Sequence, residues 1–270
     1  MDAQDLHVSV DYVGTSGIIF SPEQKACLQT SLCILQNNYK FDRVYFWGKI
    51  LGIKDDYFIA QGVEKDEFEL KKTLYSKDCV HWGLLPPATP ERRENAKLAK
   101  GRFTGDPSFE FEHTEKKDEN AEEEMITIKE ENRLAAVIAE IDNDARIVPR
   151  AAFIKTPTGD VFVNRSFQGL SVAESAKLCN YFHFREPEKL QEKSLLQRAN
   201  LDKAIDFMDS INEDIPKGAW SLQMERGSGL VTLRSLSWIG YVFYHVPGTR
   251  KFGSVYVGTG ERNIDLPFML

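Results

Sequence analysis

Apolar residues recur at helical spacing in several stretches of the chain. After Ser21 and Pro22, a pair typical of a helix start, three leucines mark one face: Leu28, Leu32 and Leu35. A second such face comes later, with Leu134, Ile138 and Ile141. Together with helix-start sequences at Thr89 and Ser171, these patterns predict helices over 21–38, 89–100, 134–141 and 171–179, and a weaker one over 199–211.

Short runs of aromatic and β-branched residues predict strands, above all in the last third of the chain. The predicted strands cover 5–11, 43–53, 57–60, 70–76, 80–83, 147–154, 161–164, 220–225, 230–235, 239–244 and 254–257. Glycine or proline turns separate the last four, and this spacing is typical of an antiparallel meander. Pro86 and Pro87 are expected to end the first group, because proline cannot donate to a strand ladder.

These elements predict an α+β fold, in which several helices pack on an antiparallel sheet and the C-terminal third is rich in strands. The sequence shows neither a regular strand–helix alternation nor a repeat of fixed period. A chain of 270 residues can form one large domain or two small ones, and we expect a single domain over 1–270.

The charge of the chain is concentrated in one stretch. Residues 110–131 hold ten acidic and three basic residues, which accounts for the whole net charge of −7. The remainder is neutral on balance, so the chain lacks the basic surface expected of a nucleic-acid-binding protein. The acidic stretch is interpreted as a flexible loop at about 110–127, and attraction of a basic partner is the alternative.

Features of secreted and membrane proteins are missing from the sequence. Acidic residues stand near the N-terminus where a signal peptide carries bases, and the apolar runs are far shorter than the ~20 residues of a membrane helix. The four cysteines, Cys27, Cys33, Cys79 and Cys179, form no C-x-x-C pair. We therefore expect a cytoplasmic protein with free and mostly buried thiols.

A search for catalytic motifs finds none that is complete. The chain has no phosphate-binding G-x-x-x-x-G-K-[ST] loop and no G-x-S-x-G elbow, and Gly258–Gly260 lacks the third glycine of a dinucleotide fingerprint. The five histidines are too widely spaced to form a helical metal pair. We therefore expect no enzyme activity, no metal and no cofactor, although a fold can bring distant residues together into a site.

Two aromatic features are interpreted as structural. His183, between Phe182 and Phe184, is expected to be a partly buried histidine rather than a metal ligand. The aromatic clusters at 45–47 and 241–244 are expected in the core or at protein interfaces. Stacking on RNA bases is the alternative for these clusters, and the neutral charge of the chain argues against it.

Several longer strings are similar to the radial spoke head family of the ciliary axoneme. They are Phe41–Ile50, Leu84–Thr89, Lys100–Phe109, Glu112–Glu115, Val163–Ser171, Tyr181–Pro187, Ile215–Gly218, Val255–Gly260 and Asp265–Leu270. The resemblance spans nearly the whole chain in the same order and is weakest in the acidic stretch and the first twenty residues. Members of the 4- and 6-type are more distantly similar, chiefly around Pro86–Thr89 and the terminal aromatic strands.

The resemblance implies a non-enzymatic subunit of the spoke head in motile cilia and flagella, located in the axoneme. Its implied partners are the 4- and 6-type head subunits, further head or neck subunits and, indirectly, the central pair projections. The implied role is to support head assembly and to relay mechanical signals from the central pair to the dynein arms. The alternatives are a free cytosolic adaptor or assembly factor, and a small-molecule enzyme whose site is built from dispersed residues.

The C-terminus is apolar where chains usually end in polar tails. Each large side chain buried there would contribute roughly 1.5–3 kcal/mol, so the tail is expected to be docked. One alternative is docking on its own domain as a final strand or strand cap. The other is docking into a neighbouring spoke head subunit, and three residues form the candidate interface: Phe268, Met269 and Leu270.

Overall fold

The computed structural model describes residues 1–115, 124–189, 192–227 and 229–269. Its helices are α1 (Leu6–Val13), α2 (Pro22–Tyr39), α3 (Pro90–Leu98), α4 (Glu130–Ala145), α5 (Val172–Ser175), α6 (Leu195–Ala199) and α7 (Leu266–Met269). Its strands are β1 (Arg43–Ile50), β2 (Tyr57–Val63), β3 (Lys72–Ser76), β4 (Gly83–Leu84), β5 (Glu110–Glu115), β6 (Glu124–Lys129), β7 (Ile147–Pro149), β8 (Phe153–Lys155), β9 (Val161–Val163), β10 (Tyr181–His183), β11 (Trp220–Met224), β12 (Val231–Ser235), β13 (Tyr241–His245) and β14 (Phe252–Gly258). This mixture confirms the predicted α+β class.

An eight-stranded sheet joins the two ends of the chain, in the order β11-β12-β13-β14-β1-β2-β3-β4. The predicted C-terminal meander forms, the first group of strands forms a second meander, and the two meet where β1 runs parallel to β14 with Gly48 opposite Tyr256. The sheet is therefore mixed, which corrects the prediction of an antiparallel sheet. Pairing between strands some 200 residues apart leaves no local pattern in the sequence.

Glycine is required where β1 meets β14. The pairing of β1 with β2 shifts register between Phe46 and Gly48, so Trp47 is the extra residue of a β-bulge. Gly48 has φ +149°, and a Cβ atom there would lie 2.0 Å from the carbonyl oxygen of Tyr256. The bulge places Trp47 on the side of the sheet that faces α4, where its indole lies 5.3 Å from the Tyr256 ring.

Two apolar clusters cover the faces of the sheet. On one face, residues of α1 and α2, such as Leu6, Val10 and Leu28, are buried with Phe46 and Phe58. On the other face, α4 buries an apolar stripe against the sheet: Leu134, Ile138 and Ile141. A third, smaller cluster lies around the β8–β9 hairpin and holds Phe153, Phe184 and Phe207.

The N-terminal segment is helical, so the strand predicted over 5–11 is wrong. Leu6, Val10 and Val13 are buried and recur at helical spacing. This face is only two turns long, and its weak alternation with polar residues favoured the strand interpretation. Helix α2 begins as predicted, with Ser21 and Gln24 forming a reciprocal capping box.

The helix predicted over 199–211 does not form. Helix α6 ends at Ala199, and the Asp206 carboxylate accepts two 2.7 Å hydrogen bonds from Arg150. Asp209 is also buried and accepts a 2.7 Å bond from the backbone N–H of Glu188. These buried carboxylates hold an irregular segment in place of a helix, since their bonds go to other parts of the chain.

Two predicted elements in the middle of the chain are shorter than expected. The helix capped by Ser171 ends at Ser175. Beyond its end, the side chain of Asn180 donates a hydrogen bond back to the carbonyl of Glu174. The strand predicted over 147–154 is divided into β7 and β8, because Ala151 has a positive φ of 68°. The next strand, β9, pairs with β8 as the predicted hairpin.

The acidic stretch is not a loop at its two ends. Strands β5 and β6 pair antiparallel from Glu110↔Lys129 to Glu115↔Glu124. Residues 116–123, the centre of the predicted flexible loop, lie outside the described residues. The prediction of mostly buried cysteines is wrong, because Cys27, Cys33 and Cys179 are exposed and only Cys79 of the four is buried.

Candidate functional site

Two cavities lie on either side of a pair of polar residues, Gln61 of β2 and Asp142 of α4, which line both. The first has a volume of about 460 Å³ and is called the N-terminal cavity, because residues 1–12 form one of its walls together with Tyr45, Arg146 and Phe252. The second, of about 570 Å³, is called the α4 groove and is lined by residues that include Lys71, Pro86 and Phe184.

Asp142 is held by neutral donors. The indole N–H of Trp47 donates a 2.7 Å hydrogen bond to Oδ1, and the side-chain amide of Gln61 donates to Oδ2. Asp142 and Arg146 are four residues apart at the end of α4, so they lie on one side of the helix. The sequence signal of Asp142 and Arg146 is this four-residue spacing. It indicates a site only together with the β-bulge that brings the Trp47 indole to Asp142.

Arg146 lies between two aromatic rings. Its guanidinium carbon is 5.6 Å from the centre of the Tyr45 ring and 4.9 Å from that of Phe184. One of its nitrogens donates a 3.3 Å hydrogen bond to the side-chain oxygen of Gln61. Within the described ranges, no carboxylate oxygen lies within 4 Å of this guanidinium, so its charge is balanced only at longer range.

Glu67 forms the acidic part of the same network. The Tyr45 hydroxyl donates a 2.9 Å bond to its Oε1, and Arg43 lies 3.7 Å from that oxygen. The side chain is buried, and among the residues that the structure describes its Oε2 has no hydrogen-bond partner. Burial and Glu67 raise the pKa of Tyr45 above its usual value, so this hydroxyl remains a donor.

Two amines near Arg146 are shifted towards their neutral forms. Burial, followed by the charge of Arg146, lowers the pKa of the Lys71 ammonium to about 7 and that of the Met1 α-amino group to about 5. The Lys71 nitrogen lies 5.2 Å from the centre of the Phe184 ring. The Met1 nitrogen donates to the carbonyls of Phe46 at 2.9 Å and Ser254 at 3.2 Å.

Two buried residues with catalytic potential, His183 and Cys79, lie in structural surroundings. His183 is buried, and its Nε2 lies 2.8 Å from Asp214, which also accepts a bond from the Trp220 indole. His183 was expected to be a partly buried structural histidine, and the structure buries it fully. Burial raises the pKa of Cys79 to about 12, which keeps this thiol protonated and unreactive.

Searches for metal and membrane features concern the described residues alone. In them, no group of three or more His, Cys, Asp or Glu residues is arranged to hold a metal ion. None of the helices placed by the structure combines the length and apolar character needed to cross a bilayer.

The C-terminal turn, residues 265–269, ends in two exposed apolar side chains. Phe268 is 90% exposed and Met269 is 72% exposed, whereas Leu266 is 3% exposed and belongs to the same buried cluster as the apolar stripe of α4. Leu270, the third candidate interface residue, lies outside the described residues. The segment is a helical turn rather than the strand or strand cap considered from the sequence.

The C-terminal turn is fixed to the end of the sheet. The backbone N–H of Asn263 donates a 2.8 Å bond to Ser237, and its side-chain amide donates a 3.2 Å bond to Leu236. Ile239 and Ile264 are also exposed, at 65% and 78%. The structure therefore holds the turn on its own fold through Leu266 while it leaves Phe268 and Met269 in solvent.

Comparisons with known proteins give a consistent result. Residues 1–158 match the family described as radial spokehead-like protein. The chain is 55% identical to a protein named radial spoke head protein 9 homolog from Danio rerio, 54% to one of the same name from Homo sapiens and 53% to one from Bos taurus. Each alignment covers 100% of both chains.

Proposed function

Because the chain belongs to the radial spokehead-like family, we propose that it is a structural, non-enzymatic subunit of the radial spoke head in motile cilia and flagella. The chain is a component of the radial spoke head and thus of the axoneme of cilia or flagella. The finer role is to support assembly of the head and to relay mechanical signals between the central pair and the dynein arms. The observation that carries the proposal is the full-length similarity to relatives named for this structure.

The arrangement of polar groups supports a structural role. Asp142 and Gln61 are used in contacts between strands and helix α4, Glu67 in a contact with Tyr45 of β1, and His183 in a contact with Asp214. An acyl-transfer or hydrolytic site needs a nucleophile within hydrogen-bond reach of its base. The hydroxyl of Ser210, on the strand-like segment beside His183, donates instead to the carbonyl of Cys179 at 3.3 Å.

The eight-stranded sheet supports the proposal that residues 1–270 act as one domain. Because β1 pairs with β14, the N-terminal and C-terminal meanders share one sheet and the buried clusters on both of its faces. A rigid unit of this kind suits a subunit that transmits force. We propose no nucleic-acid, membrane or cofactor partner for it.

Its proposed partners are the 4- and 6-type head subunits and further head or neck subunits, with the central pair projections contacted indirectly. The proposed contact is the C-terminal turn, with Phe268, Met269 and Leu270 as interface residues. Exposed side chains of this size are the kind that fill pockets at the centre of protein interfaces. Leu266 supports this proposal, because its burial fixes the turn in place before a partner arrives.

Salt extraction of axonemes tests the proposal. The tagged full-length chain is expressed in ciliated cells that lack their own copy, and the extract is separated by sedimentation. We expect the chain to sediment with the 4- and 6-type subunits. A chain that remains in the cytosolic fraction would favour the adaptor alternative, and a reproducible turnover that is abolished by one substitution would favour the enzyme alternative.

A double variant tests the interface, with an equally exposed isoleucine as its control. Phe268→Glu with Met269→Glu should keep the melting temperature of the isolated chain and reduce its recovery with the other head proteins. Ile19→Glu should change neither the melting temperature nor the recovery, since Ile19 is 81% exposed beside the α1 and α2 cluster on the other face of the sheet. Unchanged recovery of the double variant would show that the turn is not an interface.

A further inference from the structure

The N-terminal cavity contains an arginine, Arg146, that the described part of the chain leaves largely unpaired. We propose that this cavity binds the carboxylate or phosphate group of a ligand, with Arg146 as the principal contact. The group belongs either to a free small molecule or to an acidic side chain of a partner segment. This binding site does not depend on the proposed role in the spoke head.

The hydrogen bonds of Arg146 leave room for such a ligand. A guanidinium carries five N–H donors in a flat fork that matches carboxylate and phosphate oxygens. In the part of the chain that the structure describes, the side chain of Arg146 makes one hydrogen bond, to the neutral amide of Gln61. Tyr45 and Phe184 pack beside the guanidinium, with ring centres 5.6 Å and 4.9 Å from its carbon, so its position is restricted before an anion arrives.

Other cationic groups line the same cavity. Arg43 lies at its edge, and Arg250 and Lys251 come from the turn between β13 and β14. These three are joined by Arg146, and the acids that line the cavity are Asp2, Asp5 and Asp142.

The acids offset only part of this positive charge, because four cationic side chains and three acids line the cavity. Both oxygens of Asp142 already accept hydrogen bonds, from Trp47 and Gln61. Asp5 is exposed, and Asp2 accepts a bond from the backbone of Gln4. The charge of Arg146 also contributes to the lowered pKa values of the two nearby amines, and a bound anion would offset that repulsion.

The size and walls of the cavity define the rest of the ligand. A volume of about 460 Å³ falls in the range of ~300–1,000 Å³ that small-molecule sites occupy. Aromatic residues supply much of the wall: Tyr12, Tyr45, Tyr241, Tyr244 and Phe252. The ligand class is therefore an anionic group attached to a compact apolar or aromatic body, or an acidic side chain flanked by apolar residues.

The test is a titration of the full-length chain at constant ionic strength, followed by the NMR signal of the Arg146 side-chain Nε–H group. One arm uses inorganic phosphate and phenyl phosphate, and the other uses a short peptide that contains glutamate and leucine. We expect a saturable shift of this signal. Tighter binding of phenyl phosphate identifies a free small molecule as the source, and tighter binding of the peptide identifies a partner segment.

Substitutions make the assignment specific. Arg146→Gln should weaken binding about tenfold or more, because it removes a charged hydrogen-bond donor. Arg102→Gln is the matched control, since Arg102 is exposed and does not line the cavity, and it should leave the affinity unchanged. If Arg146→Gln fails to fold, the titrations of Arg146→Lys and of the wild type still test whether Arg146 binds the anion. A wild-type Arg146 signal that does not saturate with any of the three probes would overturn the proposal.

Discussion

The Tyr57 hydroxyl donates a 2.7 Å hydrogen bond to the carboxylate of Glu130, which is completely buried at the start of α4. The same carboxylate accepts bonds from the backbone N–H groups of Thr104 at 2.8 Å and Gly105 at 2.9 Å, and from the Thr104 hydroxyl at 2.8 Å. One side chain thereby joins β2, the loop before β5 and the first turn of α4. Burial and Glu130 raise the pKa of Tyr57 well above its usual value, so the hydroxyl acts as the donor.

Glu130→Gln should be one of the more destabilising single substitutions in the chain. The new amide group must face N–H or O–H donors that a carboxylate accepted, and we expect a loss of about 2–4 kcal/mol in the free energy of unfolding. Tyr57→Phe removes one donor of the set and should cost about 1–2 kcal/mol. Urea denaturation measures both, and a Glu130→Gln protein as stable as the wild type would contradict this role.

Gly48→Ala tests the junction between β1 and β14. The added Cβ would collide with the Tyr256 carbonyl at a backbone angle that L residues rarely adopt, so we expect a loss of at least about 2 kcal/mol. Gly14→Ala is the matched control, because nothing lies within 4 Å of a Cβ there and φ is −57°. Equal unfolding free energies for the two variants would mean that the strand junction tolerates the change.

His245 should make the folded protein less stable in acid. The backbone N–H of Leu170 donates to its Nε2 at 3.2 Å, and its Nδ1 lies 3.3 Å from the Lys251 carbonyl. Burial lowers the pKa of His245 from 6.5 to about 4, so between these values the unfolded chain binds a proton that the folded chain does not. Stability attributed to this residue is complete above pH 6.5 and falls as the pH drops towards 4.

The expected size of the effect is measurable by denaturation at several pH values. At about 1.4 kcal/mol per pH unit, the free energy of unfolding should fall by about 3 kcal/mol as the pH drops from 6.5 to about 4. His245→Gln keeps a donor and an acceptor but cannot titrate, so its stability should depend less on pH across this interval. If the unfolding free energy of the variant and of the wild type depended on pH equally, His245 would be excluded as the cause of the acid sensitivity.

Much of the fold could be predicted from the sequence because its signals are local. The capping sequence at Ser21, the apolar face of α4 and the four C-terminal strands each lie within a short stretch. The parallel pairing of β1 with β14 and the loss of a helix at 199–211 could not be predicted this way. They depend on contacts with distant parts of the chain, such as the bond between Arg150 and Asp206.

The candidate site was less predictable than the fold. Phe268 and Met269 were named as interface residues because residues 265–270 are mostly apolar, and the structure leaves both side chains exposed. The group around Arg146 was missed, since it draws on β1, β2, α4 and the segment around Phe184, and none of these residues forms a motif. Only the folded arrangement shows that this guanidinium has two rings beside it and, among the residues the structure places, no carboxylate within 4 Å.

The central claim is that the chain is a structural part of the spoke head, and cryo-electron tomography of axonemes measures this most directly. Axonemes from cells that lack the chain are compared with axonemes rescued by the full-length protein. We expect the density of the spoke head to be reduced or lost without the chain and restored by rescue, with the beat changing in parallel. Complete spoke heads and an unchanged beat in axonemes that lack the chain would contradict the claim.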